Sequence, residues 1–126
     1  MIGTVIQNLV GENQDQISEL FFEVLVFPYP DEKKADTDLH WWVQAENVVG
    51  HFNLYQHFGE EPALGTAYTC WKFIQRYLID KEQGEWHWSV SLDHEINRED
   101  DKAGFWKCPY HNGRMCMEII ERLAGE

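Results

Sequence analysis

From residue 38 to residue 58 the chain reads DLHWWVQAENVVGHFNLYQHF, and two alternations run through it. Leu39, Trp41, Val43 and Ala45 oppose His40, Trp42, Gln44 and Glu46. Beyond Gly50, the apolar residues Phe52, Leu54 and Phe58 oppose His51, Asn53, Tyr55 and His57. Successive side chains of a strand point to opposite faces, so period-two alternation predicts half-buried strands over 38–46 and 51–58. Gly50 then turns the chain between them.

Working outward, the clearest alternation is at 85–93, where Trp86, Trp88, Val90 and Leu92 oppose His87, Ser89, Ser91 and Asp93. Residues 20–27 are dense in β-branched and aromatic side chains and read as a strand buried on both faces, and the first ten residues add another. Helical spacing replaces alternation in two places. From Pro62, residues Leu64, Ala67, Tyr68, Trp71, Ile74 and Leu78 recur at three and four. A second helix is predicted over 113–123, with Cys116, Ile119, Ile120 and Leu123 inward, Asn112 as cap and Gly125 as stop. Strands in runs, interrupted by two helices, predict an α+β fold: an antiparallel sheet of about five or six strands with two helices packed on one face. Trp71, Trp86 and Trp88 are assigned to its core. The stretches 28–36 and 97–104 are loops, and the chain reads as a single domain over 1–126.

The 126 residues carry 22 acids against 10 bases, a net charge of −12. A chain that grips phosphate carries the opposite balance, so direct nucleic-acid binding is excluded as an expectation. No run approaches the ~18 apolar residues of a membrane span. No basic, apolar leader opens the chain, and three cysteines do not make a disulfide framework. The expected compartment is the reducing cytoplasm. G-x-S-x-G, P-loop and G-x-G-x-x-G motifs are lacking, and no cofactor is expected.

Between residues 80 and 101 eight acids face only Lys81 and Arg98. Aromatic residues are 14% of the chain, with six Trp. A one-signed field beside rigid aromatic rings suits fast capture of a basic protein. These features predict a binding protein, not an enzyme, that neutralises a basic partner by contact. A nuclease toxin and its immunity protein, or a phage-type inhibitor, is the system in view. The monomer and the homodimer both fit. Expected contact residues are Trp42, Tyr55, His57 and His87, with Asp93, Glu95, Glu99, Asp100 and Asp101 steering the approach.

An alternative lies in a different class: a small-ligand or zinc-dependent enzyme. It would use the His-rich sheet face or the cluster Cys108, His111 and Cys116, since thiolate and imidazole are ligands that zinc prefers. The spacing C-x2-H-x4-C lacks the second pair of a closed structural site.

Overall fold

The structure, a computed structural model, describes residues 36–125. The strands expected over the first ten residues and 20–27 lie outside the described residues. From residue 36 onward the elements are β1 (Leu39–His40), α1 (Trp41–Phe58), α2 (Glu61–Phe73) continuing into a π-helical turn (Ile74–Leu78), β2 (Ser89–Val90) and α3 (Tyr110–Ala124). The expected five- or six-stranded sheet is therefore overturned. Among the described residues the only sheet is β1 paired antiparallel with β2, Leu39 opposite Val90 and His40 opposite Ser89.

The decisive correction is at 41–58, which forms one helix of 18 residues and not two strands. Its buried apolar side chains Trp41, Ala45, Val48, Val49 and Phe52 follow three-and-four spacing. Because α1 packs against both α2 and α3, its buried arc is wide enough to take in Val43 and Gln44 too. That breadth produces the apparent alternation over 39–45. Gly50, expected to turn a hairpin, sits exposed in mid-helix. The real turn comes nine residues later. Gly59 adopts φ 70° and donates its N–H to the Tyr55 carbonyl at 3.1 Å, while Glu60 N–H reaches the Leu54 carbonyl at 3.3 Å. Pro62 in the first turn of α2 suits its missing N–H, and α2 returns alongside α1.

The alternation at 85–93 also fails to extend. Gly84 and Glu85 both take positive φ (77° and 63°), as does His94 (65°), and these break the extended backbone on either side. Trp86 forms a single bridge with Ile79, only Ser89 and Val90 join a strand, and Leu92 is exposed. The core is interhelical. Phe52 and Val48 of α1, Leu64 and Trp71 of α2, Ile74 and Leu78 of the π turn, and Met115 and Ile119 of α3 share one cluster, closed at one end by Trp86 and Val90. Trp71 and Trp86 are buried as expected, whereas Trp88 is half-buried. In α3, Ile119 points inward, Cys116 and Leu123 are half-buried, and Ile120 is exposed. Asn112 lies inside the helix instead of capping it. No helix among the described residues is long and apolar enough to cross a membrane.

Candidate functional site

The N-terminal ends of α1 and α3 lie side by side and bring together residues 65 apart in sequence. Trp41 opens α1 directly from β1, its N–H held by the Trp88 carbonyl at 3.0 Å. One turn on from Trp42, at the i+4 position of the same face, stands Glu46. His111 is the second residue of α3, and its Nδ1 lies 2.7 Å from Glu46 Oε1. The other carboxylate oxygen, Oε2, accepts from Arg114 Nη2. Arg114 Nη1 bonds Glu118 Oε1 at 3.0 Å, Arg122 Nη2 bonds Glu118 Oε2 at 2.6 Å, and Arg122 Nη1 bonds Asn53 Oδ1. A ladder of alternating charge thus zips α3 to α1 behind Glu46.

Partial burial of Glu46 works against its ionisation, but the hydrogen bonds from His111 and Arg114 outweigh it and hold the carboxyl below the ordinary glutamate value. The same carboxylate holds the Arg114 guanidinium above its ordinary value. An ionised carboxylate only accepts, so in the neutral form of the imidazole the proton is on Nδ1, in the bond with Glu46. The lone pair then sits on Nε2, which has no hydrogen-bond partner among the described residues. Three rings frame this imidazole: Trp41 edge-on at 5.5 Å, Trp42 tilted at 5.8 Å and Tyr110 edge-on at 5.1 Å. The His111 side chain is 34% exposed among these rings. Such an imidazole can take a proton from a bound molecule and return it.

Of the residues expected to act, Trp42 and His111 are brought together. Trp42 also lines a shallow cleft of about 390 Å³ with His40, Trp88 and Asn97. Tyr55 packs half-buried against the core, and His57 is exposed in the last turn of α1. His87 is buried, at 7% exposure, where it borders a second, polar cleft of about 510 Å³. Glu99, Asp100 and Asp101 line the outer wall of that cleft, and Asp93 and Glu95 are exposed on the loop before it. Part of this acidity organises the loop itself: Asn97 Nδ2 donates to Asp100 at 2.8 Å. Cys108 is exposed and Cys116 half-buried, and His111 has committed Nδ1 to Glu46. No three His, Cys, Asp or Glu side chains among the described residues are placed to hold a metal ion.

Glu46 and Arg114 are the members of the site that sequence reading passed over. The spacing Arg114, Glu118, Arg122 was the available signal: three alternating charges at i+4 mark one face of a helix.

Comparison with known proteins identifies the framework. Residues 23–113 match the family of N-acylglucosamine 2-epimerase (GlcNAc 2-epimerase), a span that includes both Glu46 and His111. Cellobiose 2-epimerase of Bacteroides fragilis is 60% identical over 85 residues, covering 68% of this chain and 22% of that protein. Cellobiose 2-epimerase of Ruminococcus albus is 52% identical over 93 residues, 73% of this chain and 24% of that protein. Among solved structures, a sugar epimerase from a ruminal bacterium superposes with a TM-score of 0.67 at 50% identity, over 71% of this chain and 23% of its own. Cellobiose 2-epimerase from Spirochaeta thermophila gives 0.69 at 42% identity, over 72% and 23%. The chain spans roughly a quarter of the length of these relatives. The expected immunity protein or inhibitor, and with it the expectation of a non-enzyme, is overturned by these matches. The acidic loop and the aromatic rings that suggested it belong to the surface and core of the helical framework shared with these relatives. This chain belongs to the N-acylglucosamine 2-epimerase family.

Proposed function

We propose that the protein carrying this chain inverts C2 of a reducing sugar, with a β-linked glucose disaccharide such as cellobiose as its substrate and His111 as an acid–base residue. Of the readings open at the sequence level, this deepens the small-ligand enzyme. The supporting observation is the His111–Glu46 contact of 2.7 Å, which leaves Nε2 as the proton acceptor beside the rings of Trp41, Trp42 and Tyr110.

The chemistry follows from the bond to be changed. In the open-chain aldose, C2 lies next to the C1 aldehyde, so its hydrogen is acidified by the carbonyl. His111 Nε2 removes that proton. The C2–H electron pair moves into a C1–C2 double bond, and negative charge collects on the C1 oxygen, giving an enediolate. The imidazolium formed is stabilised by the Glu46 carboxylate at Nδ1, the arrangement by which a carboxylate supports a histidine base elsewhere. Return of a proton to the opposite face of C2 completes inversion. A fixed imidazole serves one face, so this step requires either a second acid or rotation of the enediolate. The relatives named cellobiose 2-epimerase support the disaccharide, and Trp42 and Tyr110 beside His111 offer flat apolar surface for a sugar ring. The test is incubation of the purified protein with cellobiose and chromatographic separation of products. The reading predicts the C2 epimer, glucosyl-mannose, at an equilibrium mixture approached from either side. Unchanged cellobiose at high enzyme concentration would overturn it.

A further inference from the structure

Behind the His111 site a lysine is buried where none is expected. Lys107 is 2% exposed, yet it carries a full-length ammonium side chain into the interior. Its Nζ donates to the Trp86 carbonyl at 2.7 Å and to the Lys102 carbonyl at 2.7 Å, and Glu85 Oε1 lies at 3.4 Å. The ammonium also sits 4.7 Å from the centre of the Trp41 ring, in cation–π range.

Glu85 is the second unusual residue. It holds φ 63°, a conformation that costs a non-glycine residue about 1 kcal/mol or more, and persists only where its surroundings enforce it. That conformation points Oε1 at three donors: Trp86 N–H at 3.0 Å, Asn112 Nδ2 at 2.9 Å and the Lys107 ammonium. Asn112 neighbours His111 in the first turn of α3. That turn begins at Pro109 without any side-chain cap, so the Asn112–Glu85 bond does the anchoring that a cap does elsewhere.

We infer that Lys107, Glu85 and Asn112 form a positioning knot for His111, an inference that rests on the epimerase reading. The knot reaches the imidazole by two routes. One runs through Asn112 and the backbone of α3. The other runs through the Trp41 ring, which Lys107 holds from one side and which meets His111 edge-on at 5.5 Å. Lys107, Trp41 and Asn112 are all buried, so the knot sets where Nε2 points without offering a surface to a sugar.

The test compares four variants of the protein: Lys107→Met, Glu85→Ala, Glu85→Gln and Asn112→Ser. Lys107→Met and Glu85→Ala should lower kcat about 10- to 100-fold, the size of effect that a small misplacement of a reacting group produces, with KM within a factor of about two. Glu85→Gln keeps an oxygen for Trp86 and Asn112 and should stay within about threefold of the parent in kcat. A readout independent of turnover is the nitrogen-15 spectrum of labelled histidine. The parent should show His111 as one tautomer with its proton on Nδ1, while Lys107→Met and Glu85→Ala should show a mixture. Asn112→Ser cuts only the tie from Glu85 to α3 and should give the same mixture even if the Lys107 variant fails to fold. Folded variants with parental kcat and a single His111 tautomer would overturn the knot. If the parent itself does not epimerise cellobiose, the epimerase reading falls. The tautomer mixture in the variants would still support positioning.

Discussion

His111 Nδ1 and Glu46 Oε1 are 2.7 Å apart, although 65 residues separate them in the chain. This contact joins the first turn of α3 to the second turn of α1, and it decides which imidazole nitrogen faces outward. A neutral carboxamide in place of Glu46 can offer either an N–H or an oxygen to the ring, so the tautomer is no longer dictated. Glu46→Gln should lower kcat about 10²- to 10⁴-fold with little change in KM, the range seen when a carboxylate behind a catalytic histidine is neutralised. Steady-state kinetics on cellobiose measures it.

Acid should destabilise the fold in two stages. Burial holds the His87 imidazole below its ordinary value of 6.5, with Asp80 opposing and Arg98, Lys102 and Lys107 reinforcing the shift. A group whose protonation is disfavoured in the folded state lets the unfolded chain bind more protons, so stability falls as pH drops below about 6.5. Glu46 and Glu85 are held below the ordinary 4.5. For Glu85 burial opposes ionisation, and the Trp86 N–H, Lys107 and Asn112 outweigh it. Their contribution is complete above 4.5 and is lost as pH falls through their folded-state values. Thermal melts from pH 8 to 3 should show both limbs, and His87→Gln should remove the upper one alone.

The three thiols should react in the order of their access. Cys108 is exposed and Cys116 half-buried, with burial raising the Cys116 thiol above its ordinary value. Burial pushes Cys70 up to about 12, and its Sγ donates to the Gln44 carbonyl at 3.4 Å and to Gln44 Oε1 at 3.3 Å. The thiolate is the reactive species, so a native-state titration with a disulfide reagent should label Cys108 first and leave Cys70 untouched until unfolding. Mass spectrometry of the labelled peptides reads the order.

Gly50→Ala should stabilise the protein by about 0.5–1 kcal/mol, because glycine in mid-helix gives up more chain entropy on folding than alanine. A Cβ built at Gly50 meets no atom within 4 Å, so no packing cost opposes the gain. Urea unfolding at constant slope measures the change. A loss of stability would mean that this face of α1 is covered closely by other parts of the protein.

Gly50 also shows why the fold was only partly legible in the sequence. A glycine between two alternating runs has the local look of a hairpin, and nothing within ten residues contradicts it. The contradiction is tertiary: α1 is buried on two sides, so its apolar arc widens until it imitates alternation. Helix α2 was legible because Pro62 marks its first turn and its apolar stripe from Leu64 to Leu78 keeps helical spacing throughout. At the site, Trp42 and His111 were singled out for roles other than the proposed one. Their meeting depends on two helix starts being adjacent, which no local pattern records. Glu46 stands in the sequence only as one polar member of the 38–46 alternation, because its partners lie 65 and 68 residues away.

The most direct test of the account is deuterium exchange at C2 of cellobiose, followed by NMR in heavy water, for the parent protein and His111→Asn. Asparagine keeps a polar side chain that can donate toward Glu46 but has no basic nitrogen. The account predicts that the parent places deuterium at C2 as the epimer forms. It predicts that His111→Asn, with an unchanged melting temperature, does neither. Exchange at the parental rate by folded His111→Asn would contradict it.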